Sequence, residues 1–181
     1  MLQAADHERP ASGCPAPALA TSNGQAQSLA RVLLVEDDPQ DVLLILAAFK
    51  EMGLQEQMVV VNDGVQALDY LHARNAFRNR SPGYPAVVLL DVKLPLVDGF
   101  EVLQHIRSDP ATKFLPVVVL TASNQERDRL RAYELGANGY VVKMIDFEAD
   151  TAALHAIGQY WALSNEPPPG SLPRPKPAPT E

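Results

Sequence analysis

Residues Ala86 to Phe100 read AVVLLDVKLPLVDGF, and this segment sets the architecture of the chain. Five apolar residues run without interruption into a carboxylate, Asp91. A short and wholly apolar run is typical of a strand that is buried on both faces of a parallel sheet. Because open α/β sheets carry their sites at the carboxyl ends of the strands, Asp91 is a candidate site residue. An acid after a strand is also a common loop cap, so Asp91 alone leaves both interpretations open.

Four other segments repeat the pattern of a short apolar run. They are Val32 to Val35 before Glu36 and Asp37, Met58 to Val61 before a turn, Leu115 to Leu120 before Thr121, and Gly139 to Val142 before Lys143. Apolar residues at helical spacing follow each of the five runs. Strands that alternate with helices in this way predict a doubly wound, flavodoxin-like parallel sheet of five strands, in the order 2-1-3-4-5, with five helices.

Length and composition favour one domain. The 181 residues are 46% hydrophobic, which suits a single core and leaves too few residues for two comfortable domains. We expect a disordered leader over residues 1–29, the folded domain over residues 30–164, and an extended proline-rich tail or arm over residues 165–181. Seven of the last fifteen residues are prolines, which argues against a helix or a central strand in that segment.

Charge and cysteine content argue against several classes of protein. The net charge of −7 disfavours a surface that binds nucleic acid or an anionic membrane. Cys14 is the only cysteine, so an internal disulfide and a thiolate metal cluster are both impossible. No apolar run approaches the roughly 18 residues of a membrane span, and the amino terminus lacks the features of a signal peptide. We therefore expect a cytoplasmic protein.

Local signals predict how several helices and loops begin. Asp38 is the expected N-cap of the first helix, with Pro39 in its first position. Ser123 and Glu126 have the spacing of a capping box for the fourth helix. The loop of residues 73–84 carries three arginines and no acid, and we favour a solvated connector over a partner-binding role for it.

The predicted strand order brings acidic side chains together. The first and third strands lie side by side, so Glu36, Asp37 and Asp91 converge at one edge of the sheet. Neighbouring carboxylates repel one another, and a bound divalent cation removes this repulsion. Ligands that are all oxygen favour Mg²⁺ or Mn²⁺. Lys143 and Thr121 then supply a positive charge and a hydroxyl for phosphoryl oxygens, although each also has an ordinary interpretation as an exposed side chain or a strand end.

The motifs VEDDP, LLDVKLPLVDG, VVLTAS and GANGYVVK follow one another between residues 35 and 143. Together they resemble the receiver domain of two-component response regulators, over about residues 30 to 163. The resemblance implies that the phosphoacceptor is Asp91, that the other catalytic residues are Lys143 and Thr121, and that the switch residues are Thr121 and Tyr140. It also implies that the metal ligands are Glu36, Asp37, Asp91 and the main-chain carbonyl of Lys93.

The resemblance implies a reaction as well as a fold. Asp91 would take a phosphoryl group from the phosphohistidine of a sensor kinase, with Mg²⁺ as cofactor. The protein would catalyse its own phosphorylation and dephosphorylation and would not be an enzyme for other substrates. Thr121 would then move towards the phosphoryl oxygens, and Tyr140 would rotate into the space it leaves. Most receivers have a proline after the lysine; this chain has Met144, so we predict a trans peptide bond there.

A narrower resemblance concerns partners. The long loop before the third strand and the pair Asp146-Phe147 resemble stand-alone receivers that are paired with phytochromes. This implies a phytochrome histidine kinase as phosphodonor and a homodimer through the last helix and the C-terminal arm. The expected dimer contacts are Tyr160, Trp161 and Leu163, although Trp161 can equally pack in its own core. No basic recognition helix follows the domain, so we expect no DNA-binding output.

Two alternative functions are compatible with the sequence. One is a degenerate receiver that binds partners without phosphorylation, because Met144 could impair the site. The other is a phosphatase with an aspartate nucleophile, similar to the haloacid dehalogenases. That class needs an acid two residues after the nucleophile, where this chain has Lys93, so we disfavour it.

Overall fold

The computed structural model describes residues 30–143 and 147–173, except for the side chains of residues 147–149. Five parallel strands form one sheet in the order β2-β1-β3-β4-β5. The strands are β1 Val32–Val35, β2 Met58–Val61, β3 Val87–Leu90, β4 Val117–Thr121 and β5 Gly139–Val142. The α-helices are α1 Pro39–Glu51, α2 Gly64–Leu71, α3 Gly99–Ser108, α4 Glu126–Glu134 and α5 Phe147–Ile157. The predicted fold class and strand order are confirmed.

Several predictions concern residues outside this description. They are the disordered leader of residues 1–29, the trans peptide bond between Lys143 and Met144, and the end of the proline-rich tail. The domain bounds at residues 30 and 164 also stay predictions.

The two faces of the sheet are covered by different helices. Along β1, Leu33 and Val35 pack with α2 and α3, whereas Val32 and Leu34 pack with α1 and α5. All four side chains are buried, as are the four of β3. This explains why the central strands are apolar at every position rather than at every second one. The buried faces fix the register of the strands, so their carboxyl ends line up at one edge.

Side-chain caps start three helices at that same edge. Asp38 accepts a hydrogen bond from the Gln40 amide at 2.7 Å, with Pro39 in the first position of α1 as predicted. Asp63 caps α2, and Asp98 forms a full capping box with Glu101 at the start of α3. Each cap satisfies a backbone N–H that the helix itself leaves without a partner.

The capping box predicted for α4 is wrong. The N-cap is Gln125, which makes no side-chain cap hydrogen bond. The Ser123 hydroxyl instead donates to Asp128 Oδ2 at 2.6 Å. Ser123 lies two residues before the cap position, so its spacing to Glu126 does not correspond to the geometry of a capping box.

The loop of residues 73–84 is only partly the solvated connector that we expected. Arg80 is 7% exposed and donates hydrogen bonds to the carbonyl oxygens of Tyr70, Leu71, Ser81 and Gly83. Its guanidinium also lies 4.8 Å from the centre of the Tyr70 ring. Arg80 therefore holds this loop against the end of α2, which composition alone does not reveal.

The chain after α5 returns to its own domain. A π-helix, Gly158–Ser164, extends α5; within it Trp161 packs against the core, as does Leu163, while Tyr160 is 56% exposed. The Tyr84 amide donates to the Gly170 carbonyl at 2.9 Å, and the Leu172 amide donates to the Tyr84 carbonyl at 3.0 Å. Within the described part of the chain, no helix is both long and apolar enough to cross a membrane.

Candidate functional site

Asp91 lies at the carboxyl end of the central strand β3. Its side chain is buried, and its Oδ2 accepts a hydrogen bond from the Lys93 amide at 3.0 Å. The loop that follows folds back at once, because the Gly99 amide donates to the Val92 carbonyl at 2.9 Å. A Cβ atom on residue 99 would overlap the carbonyl oxygen of Asp91. The glycine therefore allows α3 to begin directly against the residue that the sequence singled out.

Two further carboxylates reach Asp91 from β1. Glu36 is 1% exposed and Asp37 is exposed, and both follow the last residue of the strand paired with β3. One oxygen from each of the three acids lies within 4.8 Å of the others. This confirms that the strand order brings them together. The donor set contains only carboxylate oxygens, and one of its members is open to solvent, so it fits a hard divalent cation that retains water.

Lys143 brings a positive charge into the cluster from the end of β5. Its Nζ atom lies 2.5 Å from Glu36 Oε2, 2.8 Å from Asp41 Oδ2 and 3.4 Å from Asp91 Oδ1. The side chain is 17% exposed. The Lys143 amide also donates to the Thr121 carbonyl at 2.8 Å, which fixes the end of β5 beside β4. The lysine is therefore held by three acids and is directed at the Asp91 carboxylate.

Sequence reasoning missed Asp41. This residue lies in the first turn of α1, where the start of the helix returns to the sheet edge beside Glu36. An acid in the first turn is usually explained by the helix dipole, and that explanation hid its second role as a partner of Lys143. The usable signal was its position three residues after the N-cap Asp38, which places it at the edge that carries the site.

Burial and neighbouring charges shift the pKa values of Glu36 and Lys143. Burial raises the pKa of Glu36 to about 7, and the neighbouring charge of Asp91 adds to this rise while Lys143 opposes it. Burial by itself would lower the pKa of Lys143, but hydrogen bonds to Asp41 and Glu36 and the charge of Asp91 outweigh it and raise the pKa. Lys143 is therefore an ammonium group at neutral pH. Its single positive charge faces several acids, so the site attracts a further cation.

The two predicted switch residues both bond to Ser123. Thr121 is the last residue of β4 and is fully buried, and its Oγ1 accepts a hydrogen bond from the Ser123 amide at 3.2 Å. The Tyr140 hydroxyl donates to the Ser123 carbonyl at 2.9 Å. Burial raises the pKa of Tyr140, which keeps this hydroxyl a neutral donor. The structure thus links Thr121 and Tyr140 through one residue of the β4–α4 loop.

The remaining predicted residues lie in two different places. Lys93 has an exposed side chain beside the site, and the metal-binding role of its carbonyl stays a prediction. The predicted dimer residues belong to the π-helix, whose Ala162 carbonyl accepts a hydrogen bond from Arg31 Nε at 2.9 Å. Arg31 precedes β1 whereas Glu36 follows it, so the π-helix is near the opposite edge of the sheet.

The chain is similar to known proteins in sequence and in fold. A family model described as the response regulator receiver domain matches residues 32–155. The probable methanogenesis regulatory protein FilR2 of Methanothrix harundinacea is 39% identical over 137 residues, which are 76% of this chain and 86% of that relative. The solved bacteriophytochrome response regulator RtBRR is 49% identical, with 81% of this chain and 87% of that chain covered and a TM-score of 0.62. The Mn²⁺-bound form of response regulator Rcp1, a protein of Synechocystis, is 32% identical, with 78% and 99% covered and a TM-score of 0.70.

Proposed function

Since the chain belongs to the response regulator receiver domain family, we propose that Asp91 accepts a phosphoryl group from the phosphohistidine of a sensor histidine kinase. A carboxylate oxygen of Asp91 forms the new bond to phosphorus, and the bond from phosphorus to the imidazole nitrogen breaks, leaving its electron pair on the histidine. One observation carries the proposal. The buried Asp91 carboxylate lies 3.4 Å from Lys143 Nζ, and one of its oxygens lies within 4.8 Å of a carboxylate oxygen of each of two further acids.

The site residues have separate roles in the reaction. Glu36, Asp37 and Asp91 hold Mg²⁺, or Mn²⁺ in its place, together with the main-chain carbonyl of Lys93. The bound ion supplies positive charge for the oxygens of the transferred group. Lys143 exchanges a carboxylate partner for a phosphoryl oxygen. Because little covalent chemistry is left for the protein, placing these charges is its main contribution.

Phosphorylation then changes the surface around the site. It adds about −1.5 to −2 charges and three strong hydrogen-bond acceptors to Asp91. The Thr121 hydroxyl moves towards a phosphoryl oxygen, and Tyr140 changes its position in response. The protein uses this change to switch its binding to a partner or to a second copy of itself. Tyr160, exposed on the π-helix, is the best available contact for a homodimer, since Trp161 and Leu163 pack on their own core.

The phosphodonor is a kinase of the phytochrome type, and the reaction takes place in the cytoplasm. The support is the 49% identity to a protein described as a bacteriophytochrome response regulator. Transfer from an autophosphorylated phytochrome kinase should be much faster than from a kinase of another sensory class at equal concentration. Equal rates from the two kinases would count against this choice of partner and would leave Asp91 as the phosphoacceptor.

The central experiment is phosphorylation by acetyl phosphate in the presence of Mg²⁺, followed by intact mass spectrometry. The wild-type protein should gain one phosphoryl group, and Asp91→Asn should gain none. Asp38→Asn is a matched control at the same edge of the sheet, because asparagine is also a good N-cap. Absence of the gain in the wild type would favour a binding module that acts without phosphorylation. Continuous phosphate release from many esters would instead favour a phosphatase.

The homodimer has its own test. Sedimentation of the full chain at high micromolar concentration should give a dimer mass that Tyr160→Glu lowers. Tyr133→Glu serves as the control, because Tyr133 is exposed on α4 and undergoes the same change in size and charge. A monomer mass before and after phosphorylation would exclude the proposed dimer without affecting the phosphoacceptor assignment.

A further inference from the structure

Ser123 uses each of its polar groups to join a different part of the site. Its amide donates to Thr121 Oγ1 at 3.2 Å, and its carbonyl accepts the Tyr140 hydroxyl at 2.9 Å. Its hydroxyl donates to Asp128 Oδ2 at 2.6 Å. The residue is 7% exposed, so these bonds are shielded from competition by water. Ser123 is therefore the point at which Thr121, Tyr140 and helix α4 meet.

The bond to Asp128 differs from the usual role of an acid in the first turn of a helix. Asp128 lies in the first turn of α4, where a carboxylate normally helps to satisfy the free amides of the helix. Here it accepts a hydrogen bond from a serine hydroxyl in the preceding loop, and α4 begins without a side-chain cap. A hydroxyl that donates to a carboxylate forms one of the stronger classes of hydrogen bond. The contact with Arg127 at 3.6 Å is more exposed and weaker.

Helix α4 buries little of its surface against the domain, although the Arg131 guanidinium also lies 4.4 Å from the centre of the Phe100 ring. Ala132 is its one buried residue, whereas α3 buries five. Ala132 contributes to a small apolar cluster with Val92, Phe100 and Val119, against which Tyr140 also packs. A helix with so little buried apolar surface has low local stability and moves readily. The Ser123–Asp128 bond ties the first turn of α4 to the preceding loop.

We propose that Asp128 is a positioning residue that couples Thr121 to helix α4 through Ser123. The proposal rests on the proposed function, because it concerns the hydroxyl that turns towards the phosphoryl group. When Thr121 Oγ1 reorients, the Ser123 amide loses its acceptor and the β4–α4 loop shifts. The Ser123–Asp128 bond transmits this shift to α4, while the bond from Tyr140 to the Ser123 carbonyl transmits it to β5.

The first test needs no phosphorylation. The unfolding equilibrium constants of Thr121→Ala, Asp128→Ala and the double variant are compared by urea denaturation. If Ser123 couples the two residues, the combined effect differs from the product of the single effects by roughly twofold or more. The control cycle pairs Thr121→Ala with Glu126→Ala, which removes the same charge from the same turn of α4. In this cycle the effect of the double variant on the unfolding constant should equal the product of the two single effects. A multiplicative result for Asp128 as well would overturn the proposal.

The second test follows the response of α4 itself. Amide hydrogen exchange in α4 is measured before and after phosphorylation by acetyl phosphate, with the phosphorylated fraction determined by intact mass. Wild type and Glu126→Ala should change exchange in α4; Asp128→Ala should be phosphorylated to the same extent yet lose most of this change. Asp128→Asn keeps an acceptor for the Ser123 hydroxyl and should restore the change in amide exchange in α4.

These outcomes separate the inference from the proposed function. An unaltered exchange response in phosphorylated Asp128→Ala would overturn the coupling and leave the phosphoacceptor role intact. A failure of Asp128→Ala to take up the phosphoryl group would also overturn it, because the residue would then act on the reaction rather than on α4. If the wild type takes up no phosphoryl group, the proposed function fails, and the mutant cycle still decides whether the coupling exists.

Discussion

At the scale of single residues, Lys143 connects the most parts of the site. It contacts Glu36, Asp41 and Asp91, which lie just after β1, in α1 and just after β3. A lysine is suited to this role because its ammonium group is a compact charge with three donors; it donates hydrogen bonds to Glu36 and Asp41, and its charge also faces Asp91. The same arrangement makes Lys143 a competitor of any cation that enters the cluster.

Replacement of Lys143 should therefore have two opposite effects. We expect Lys143→Ala to lose phosphorylation by acetyl phosphate, because no ammonium group meets the phosphoryl oxygens beside the bound ion, and to bind Mg²⁺ more tightly, because Glu36 and Asp91 lose their positive neighbour. Calorimetric Mg²⁺ titration and intact mass measure the two effects. Lys113→Ala, which removes an equal charge beside Phe114, should change neither. Weaker Mg²⁺ binding by Lys143→Ala would contradict this account of the cluster.

At the scale of elements, two segments with the same sequence pattern take different structures. Asp98 and Glu101 form a capping box at the start of α3, whereas Ser123 and Glu126 have the same spacing and form none. The difference lies in where each helix begins: Asp98 is itself the N-cap of α3, whereas Ser123 lies two residues before Gln125, the N-cap of α4, and its hydroxyl oxygen accepts a hydrogen bond from the Gln125 amide. Spacing therefore predicts a capping box only when its first residue occupies the N-cap position.

The cap of α3 gives a prediction about stability. Asp98→Ala should lower the free energy of unfolding by about 1 kcal/mol, because it leaves the Glu101 amide without its acceptor. Asp98→Asn should be nearly neutral, since asparagine caps as well as aspartate. Urea denaturation of both variants measures the difference. Equal losses in the two variants would indicate that charge, and not the cap, is the source of the stabilisation.

The close turn after β3 gives a second prediction at this scale. Gly99→Ala places a methyl group against the Asp91 carbonyl, so we expect a loss of about 1–3 kcal/mol in the free energy of unfolding, together with slower phosphorylation as Asp91 shifts. Gly139→Ala is the control: its methyl would lie 3.5 Å from Val118, an ordinary contact. Wild-type stability in Gly99→Ala would mean that the turn is less tight than described.

At the scale of the whole molecule, metal binding should stabilise the fold. Glu36, Asp37 and Asp91 follow the ends of two different strands and meet only in the folded state. An ion that binds all three therefore favours that state. At a Mg²⁺ concentration one hundred times the dissociation constant, the gain should be about 2.7 kcal/mol. Thermal denaturation with Mg²⁺ and with a chelator measures it. Asp37→Asn should lose most of the gain and Asp38→Asn should keep it; equal stabilisation of both would exclude Asp37 as a ligand.

The path of the C-terminal segment is also decided at this scale. Composition predicts an extended arm, and the residues up to Pro173 lie along Tyr84 and Arg31 of the same domain. Arg31 is 5% exposed and donates to carbonyl oxygens of the π-helix and of the tail. Proline content predicts what the segment cannot form, but not which surface it lies against, because that depends on backbone groups far away in the chain.

The sequence by itself determined the strands, their order and the identity of the central acid. Runs such as Val32–Val35 and Val87–Leu90 have no other way to bury every side chain than between two layers of helices, and parallel connection then places Glu36 and Asp91 at the same edge. Tertiary structure alone decided the polar contacts between residues far apart in the chain, such as Asp41 for Lys143 and the Ala162 carbonyl for Arg31. Apolar burial is a sum over many residues and leaves a periodic record in the sequence, whereas a hydrogen bond depends on distances of a few tenths of an ångström between residues that no local pattern connects.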